Sequence, residues 1–165
     1  MDAITLLAQG FDQLHEALQE DMASVDDEGR WWQPSANNNH IGFLFWHIVR
    51  DEDNVLSFVR DKTELWKADG WHERLGMAPE EQGTGMDAAR LAAFRYDPHE
   101  FEQYAEAVWE RTGRELRELR EQDLDKPAYQ WTVGRLLTEG CLGHGWEHLG
   151  EIRYAKGLRG WRFKE

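Results

Sequence analysis

The sequence predicts an all-α fold: a four-helix bundle with a long connection between its second and third helices. Apolar residues recur at three- and four-residue steps over four separate stretches. Helix-capping residues stand in front of those stretches, and no segment shows the alternation of a half-buried strand. With 165 residues, the chain suits one domain, residues 1–165, with its own core.

The first helix is expected from Asp2, as N-cap, to about Met22, with Ile4, Leu7, Phe11, Leu14 and Leu18 on its inward stripe. Residues 23–39 break the period with acids, Gly, Pro and three Asn, so they read as a loop in which Trp31 and Trp32 fold over the bundle end. A second helix should start near Asn38 or Asn39 and run to about Asp61. Its inner stripe follows His40, Leu44, His47, Asp51, Val55 and Phe58.

Residues 62–96 form the long connection, read as an ordered crossover between parallel neighbouring helices, with a short helix at Met86–Arg95. The third helix begins at Asp97, with Pro98 in its first position and Glu100 completing a capping box, and ends near Gln122. Thr132 caps the fourth helix, expected as one continuous helix to Gly157, and a short tail follows.

Charge and composition narrow the function. A formal net charge of −13 makes nucleic acid and anionic membranes poor partners, because affinity for both comes largely from neutralising phosphates. The single cysteine, Cys141, excludes an intramolecular disulfide and fits a reducing compartment. No apolar run approaches the roughly 18 residues of a membrane span. The N-terminus lacks the pattern of a signal peptide. A soluble cytoplasmic protein is expected.

The fourth helix carries the chemistry. Its stripe runs Leu137, Cys141, His144, His148, Ile152 and Ala155, so two imidazoles stand one turn apart where a packing helix normally carries Leu or Ile. A lone inward histidine is ordinarily a hydrogen-bonded core residue. Two at this spacing, with His47 inward on the second helix, make a three-nitrogen set suited to a divalent metal of the zinc, nickel or iron class. Cys141 is either a fourth ligand or, as buried free cysteines more often are, a small hydrophobe. Asp51 follows His47 by four residues and Glu151 follows His148 by three; either can orient a histidine, bind the metal or act as a base. Glu147 points away from the histidine face. His15, His40, His72 and His99 read as incidental, with His40, near a helix start, as structural, and Trp46 and Trp146 as packing groups.

HIGFLFWHIVRDED, followed by GHGWEHLGEIRYAKGL, resembles the DinB/YfiT-like superfamily of helical-bundle metalloproteins. The likeness extends to Trp31, Trp32 and Pro34, to residues 70–76 and to residues 92–95. It implies that His47, His144 and His148 are metal ligands, and that the protein is a homodimer. Members often carry Gln where this chain has Glu151. The family includes enzymes acting with low-molecular-weight thiols, such as mycothiol- or bacillithiol-dependent transferases and a maleylpyruvate isomerase. The resemblance therefore implies a metal-dependent thiol S-transferase with a thiol co-substrate and a small-molecule electrophile. A metal-dependent hydrolase with Asp51 or Glu151 as base, and a metal-binding or stress-response bundle without turnover, are the alternatives.

Overall fold

The computed structural model describes residues 1–161; the last four residues of the expected tail, 162–165, lie outside the described residues. The described chain is mostly helical, with four long helical segments: α1 (Ala3–Ala23), α2 (Ile41–Val59), α3 (Pro98–Arg117) and α4. The last of these, α4, has three consecutive parts: an α-helical turn Val133–Arg135, a π-helical stretch Leu136–Gly143, and an α-helix His144–Leu158. Four is thus the count of long segments alone. Short helical turns also occur at Asp27–Arg30, Leu65–Ala68, Trp71–Arg74 and Ala88–Ala93.

Local chemistry explains most boundaries. The Asp2 carboxylate accepts the Thr5 amide at 2.7 Å, Asp97 accepts that of Glu100 at 3.0 Å ahead of Pro98, and the Thr132 hydroxyl accepts that of Arg135 at 3.3 Å. Three expectations need correction. The N-cap of α2 is His40, whose Nδ1 accepts the Phe43 amide at 2.9 Å, and neither Asn38 nor Asn39 takes that place. The Glu100 carboxylate bonds Arg74 Nε at 2.8 Å, away from the helix start. And α4 continues past Gly157, to Leu158, before Gly160 takes a left-handed φ of 80°. The expectation of no strand also gives way slightly: Pro127–Ala128 pairs antiparallel with Trp131–Thr132 across a tight turn.

The long segments form a ring in which α1 packs on α3 and α4, and α2 on the same two. Contact order along each pair gives directions. Phe45 meets Phe101, Asp53 meets Arg111 and Arg60 meets Glu118, so α2 and α3 run parallel. Asp51 meets His144 while His47, one turn earlier, meets His148, so α2 and α4 run antiparallel. A parallel α2–α3 pair needs a crossover, and residues 60–97 supply it.

Two apolar clusters fill the interior. One gathers Leu14, Phe45, Trp46, Trp66, Phe101 and Leu149; the other gathers Phe11, Leu56, Leu116, Leu137 and Cys141. Phe58, expected inside, is exposed and stacks on Tyr129 at 4.1 Å between ring centroids.

The crossover is tied to α2 by a fully buried carboxylate. Asp53 accepts the Leu65 and Trp66 amides at 3.0 and 2.9 Å, the Tyr104 hydroxyl at 2.9 Å and Arg111 Nη1 at 3.2 Å. Arg50 completes the hub, 3.6 Å from Asp53, and donates to Glu64, Tyr104 and the Glu81 carbonyl. Burial raises the pKa of Asp53, while the two amides, Tyr104 and Arg50 oppose the rise.

Candidate metal centre

Three histidines from two helices converge. His47 on α2 and His144 and His148 on α4 each bring a ring nitrogen within 4.8 Å of the other two, the one such group of metal-binding side chains among the described residues. Ring centroids lie 5.1 Å apart for His47 and His144, 5.3 Å for His47 and His148, and 4.4 Å for His144 and His148. The last separation follows from one α-helical turn, since the regular α-helix resumes at His144.

Hydrogen bonds set which nitrogen each ring offers. His47 Nδ1 lies 3.0 Å from the Gln82 carbonyl, which only accepts, so Nδ1 carries the proton and Nε2 is left bare. His144 Nδ1 donates to Asp51 Oδ2 at 3.2 Å, and His148 Nδ1 donates to Glu151 Oε2 at 3.0 Å. All three rings are thereby held with Nε2 as the free lone pair. The Nε2 atoms of His144 and His148 stand 2.8 Å apart. Two bare lone pairs at that distance repel unless a proton or cation lies between them.

This donor set fits a divalent cation. Three neutral imidazole nitrogens leave positions open for water or substrate, and each ring's other N–H is held by an oxygen acceptor, as metal-binding histidines require. Burial, then the neighbouring His144 and His148, lower the pKa of His47 and favour its neutral form. The Asp51 hydrogen bond raises that of His144, against the cost of burial. The cluster is half-open: the side chains of His148, Asp51 and His144 are 16%, 23% and 29% exposed, and Glu151 is 53% exposed.

The expected acids thus stand beside the histidines, Asp51 across the helix interface and Glu151 on the same helix. Glu147 is exposed. Cys141 is not in the cluster: it lies in the second apolar cluster with Leu136 and Leu137, and burial holds its thiol well above the usual range. The wider π turns before Gly143 put Cys141 out of phase with the histidines that follow. A straight α-helix would have shown all three on one face.

Two groups escaped sequence reasoning. The Gln82 carbonyl that holds His47 is backbone, so no residue type announces it. The second is a buried pair: His15 Nε2 lies 2.9 Å from Glu52 Oε2, and the Thr112 hydroxyl donates to Glu52 Oε1 at 2.5 Å. Neither residue stands on the stripes expected for the first two helices, so the sequence carried no signal of the pair.

Fold and cluster together define a helical-bundle protein with a three-histidine cluster able to hold a divalent metal. The chain belongs to the DinB superfamily, whose model matches residues 6–152. It is similar to a solved structure described as the conserved protein of locus from Enterococcus faecalis, with a TM-score of 0.84 and 20% identity. That match covers 96% of this chain and 97% of the other, and at such identity the likeness is one of fold alone. No curated protein matches the chain. No described helix is long and apolar enough to cross a membrane.

Proposed function

We propose that this protein is a divalent-metal-dependent enzyme of the low-molecular-weight-thiol S-transferase type, acting in the cytoplasm as a homodimer on a small electrophile. The observation that carries the metal assignment is the convergence of His47, His144 and His148, one ring nitrogen of each within 4.8 Å of the other two, with an oxygen acceptor at every Nδ1. A zinc-, nickel- or iron-class ion at these nitrogens supplies a Lewis acid that favours the deprotonated, nucleophilic form of a thiol.

The chain's own groups do the rest. His47, His144 and His148 would hold the metal, and the half-open face of the cluster would admit substrate. Asp51 orients His144 and holds its ring proton on Nδ1. Glu151 orients His148 in the same way, its Oε2 accepting the Nδ1 proton, and the thiol proton leaves to water at the half-open face of the cluster. The buried Cys141 thiol takes no part as nucleophile, because burial keeps it protonated.

The half-open face also admits water, so hydrolysis is the competing chemistry. Untagged protein loaded with Zn²⁺ or Ni²⁺ is assayed with 1-chloro-2,4-dinitrobenzene and a panel of thiols that includes cysteine and glutathione, and separately with p-nitrophenyl acetate without thiol. Conjugation that needs both metal and thiol is expected. Metal-dependent ester hydrolysis without thiol, and no conjugation with any thiol, would replace the transferase reading by a hydrolase. No turnover in either assay would favour a metal-binding bundle.

A further inference from the structure

The crossover segment 81–83 is built against the ligand helix more tightly than its loop character requires. Gly83 has a left-handed φ of 76°, and a Cβ there would lie 2.9 Å from Trp46 Cζ3 and 3.0 Å from Phe43 Cε2. Those two rings flank His47: Phe43 stacks on it at 5.6 Å and 7° between planes, and Trp46 lies at 6.5 Å. Glu81 braces the turn. Its Oε1 accepts the Gly83 amide at 3.0 Å, its Oε2 pairs with Arg90 at 2.6 Å, and its carbonyl accepts Arg50 Nε at 3.3 Å. Between these two residues lies the Gln82 carbonyl, 3.0 Å from His47 Nδ1.

We propose that Gly83 is a positioning residue for the histidine cluster: its missing side chain seats the crossover on Trp46 and Phe43, so that the Gln82 carbonyl fixes the tautomer and aim of His47. The inference rests on the three-histidine metal reading and adds to it a backbone group from outside the ligand helices. Asp51 and Glu151 fix the α4 pair by carboxylates. His47 has instead a neutral carbonyl, whose position depends wholly on how closely the loop approaches.

A neighbouring glycine makes the test selective. Gly85 shares the left-handed φ, at 70°, but a Cβ there meets nothing within 4 Å. Gly83→Ala and Gly85→Ala therefore carry similar backbone strain, and only the first pushes the loop off the rings. Zn²⁺ titration of each against a competing chelator should show affinity about 10- to 100-fold weaker in Gly83→Ala, the range for losing a hydrogen bond that orients a ligand, and little changed in Gly85→Ala. Long-range ¹⁵N correlation spectra of the metal-free proteins supply a second readout. His47 should carry its proton on Nδ1 in the parent and in Gly85→Ala, and lose that preference in Gly83→Ala.

Equal weakening in the two alanine variants, or an unchanged His47 tautomer in Gly83→Ala, would overturn the proposal. Should Gly83→Ala not fold, Glu81→Ala removes the brace without entering the core. A weaker site and an altered His47 signal are then expected, and an unchanged signal would overturn the proposal. Failure of the parent protein to take up Zn²⁺ would refute the metal reading, while the metal-free spectra would still decide the role of Gly83.

Discussion

Asp51 Oδ2 accepts the Nδ1 proton of His144 across 3.2 Å, and this bond links α2 to α4 at the level of the histidine cluster. It fixes the tautomer of one ring and sets the charge beside it. Asp51→Ala should weaken Zn²⁺ binding by about 10- to 100-fold, the usual cost of removing a partner that orients a metal-binding histidine. Glu147→Ala, on the exposed side of α4, should leave affinity unchanged. Chelator competition on both variants checks this, and equal affinities for the two would contradict the orienting role.

Cys141 separates ligand from core residue. Cys141→Ser should leave metal content near that of the parent, because the thiol sits among Leu136 and Leu137 outside the cluster. Stability should fall by about 1–3 kcal/mol, since a hydroxyl replaces a thiol in apolar surroundings. Elemental analysis beside urea unfolding distinguishes the two effects; loss of metal with unchanged stability would make Cys141 a ligand.

Asp53 anchors the crossover, and its removal should be costly. Asp53→Ala leaves Arg50 and Arg111 buried without their shared partner, and breaking a buried ion pair costs about 3–5 kcal/mol. Urea denaturation should show a loss of that order. A loss below about 1 kcal/mol would mean that the hub is replaceable by water.

His40 gives stability a pH dependence with a definite sign. Burial, aided by Arg95 and opposed by the Leu91 carbonyl, lowers its pKa from 6.5 to about 4. Below the unfolded value of 6.5 the unfolded chain binds a proton that folded His40 refuses, so stability falls as pH drops and keeps falling until the folded value near 4. From pH 7 to pH 5 this contributes up to about 2 kcal/mol of loss. His40→Asn keeps a helix-capping side chain and removes the titration. The variant should be less stable at pH 7, having lost the bond to the Leu91 carbonyl, yet should lose less on acidification. Parallel pH slopes for the two proteins would contradict the assignment.

The parts of this structure that were legible in the sequence are those written in side-chain spacing. The stripe of α1, the caps at Asp2, Asp97 and Thr132, and the pairing of His144 with His148 all follow from period and residue type. So does the placement of His47 and Asp51 one turn apart on α2. What escaped depends on backbone or tertiary geometry. The π stretch Leu136–Gly143 is a shift of hydrogen-bond register that no residue type demands, and it moved Cys141 away from the histidines. The Gln82 carbonyl has no side-chain signature at all. His15 and Glu52 lie on different helices 37 residues apart, so their pairing could be seen only once α1 and α2 were placed.

The central claim is that His47, His144 and His148 hold one metal ion. Elemental analysis of untagged protein, beside His144→Ala and His148→Ala variants shown to be folded by circular dichroism, tests it most directly. About one divalent ion per chain is expected in the parent, as a single three-ligand site requires, and almost none in either variant. Equal metal content in the parent and both variants would contradict the account.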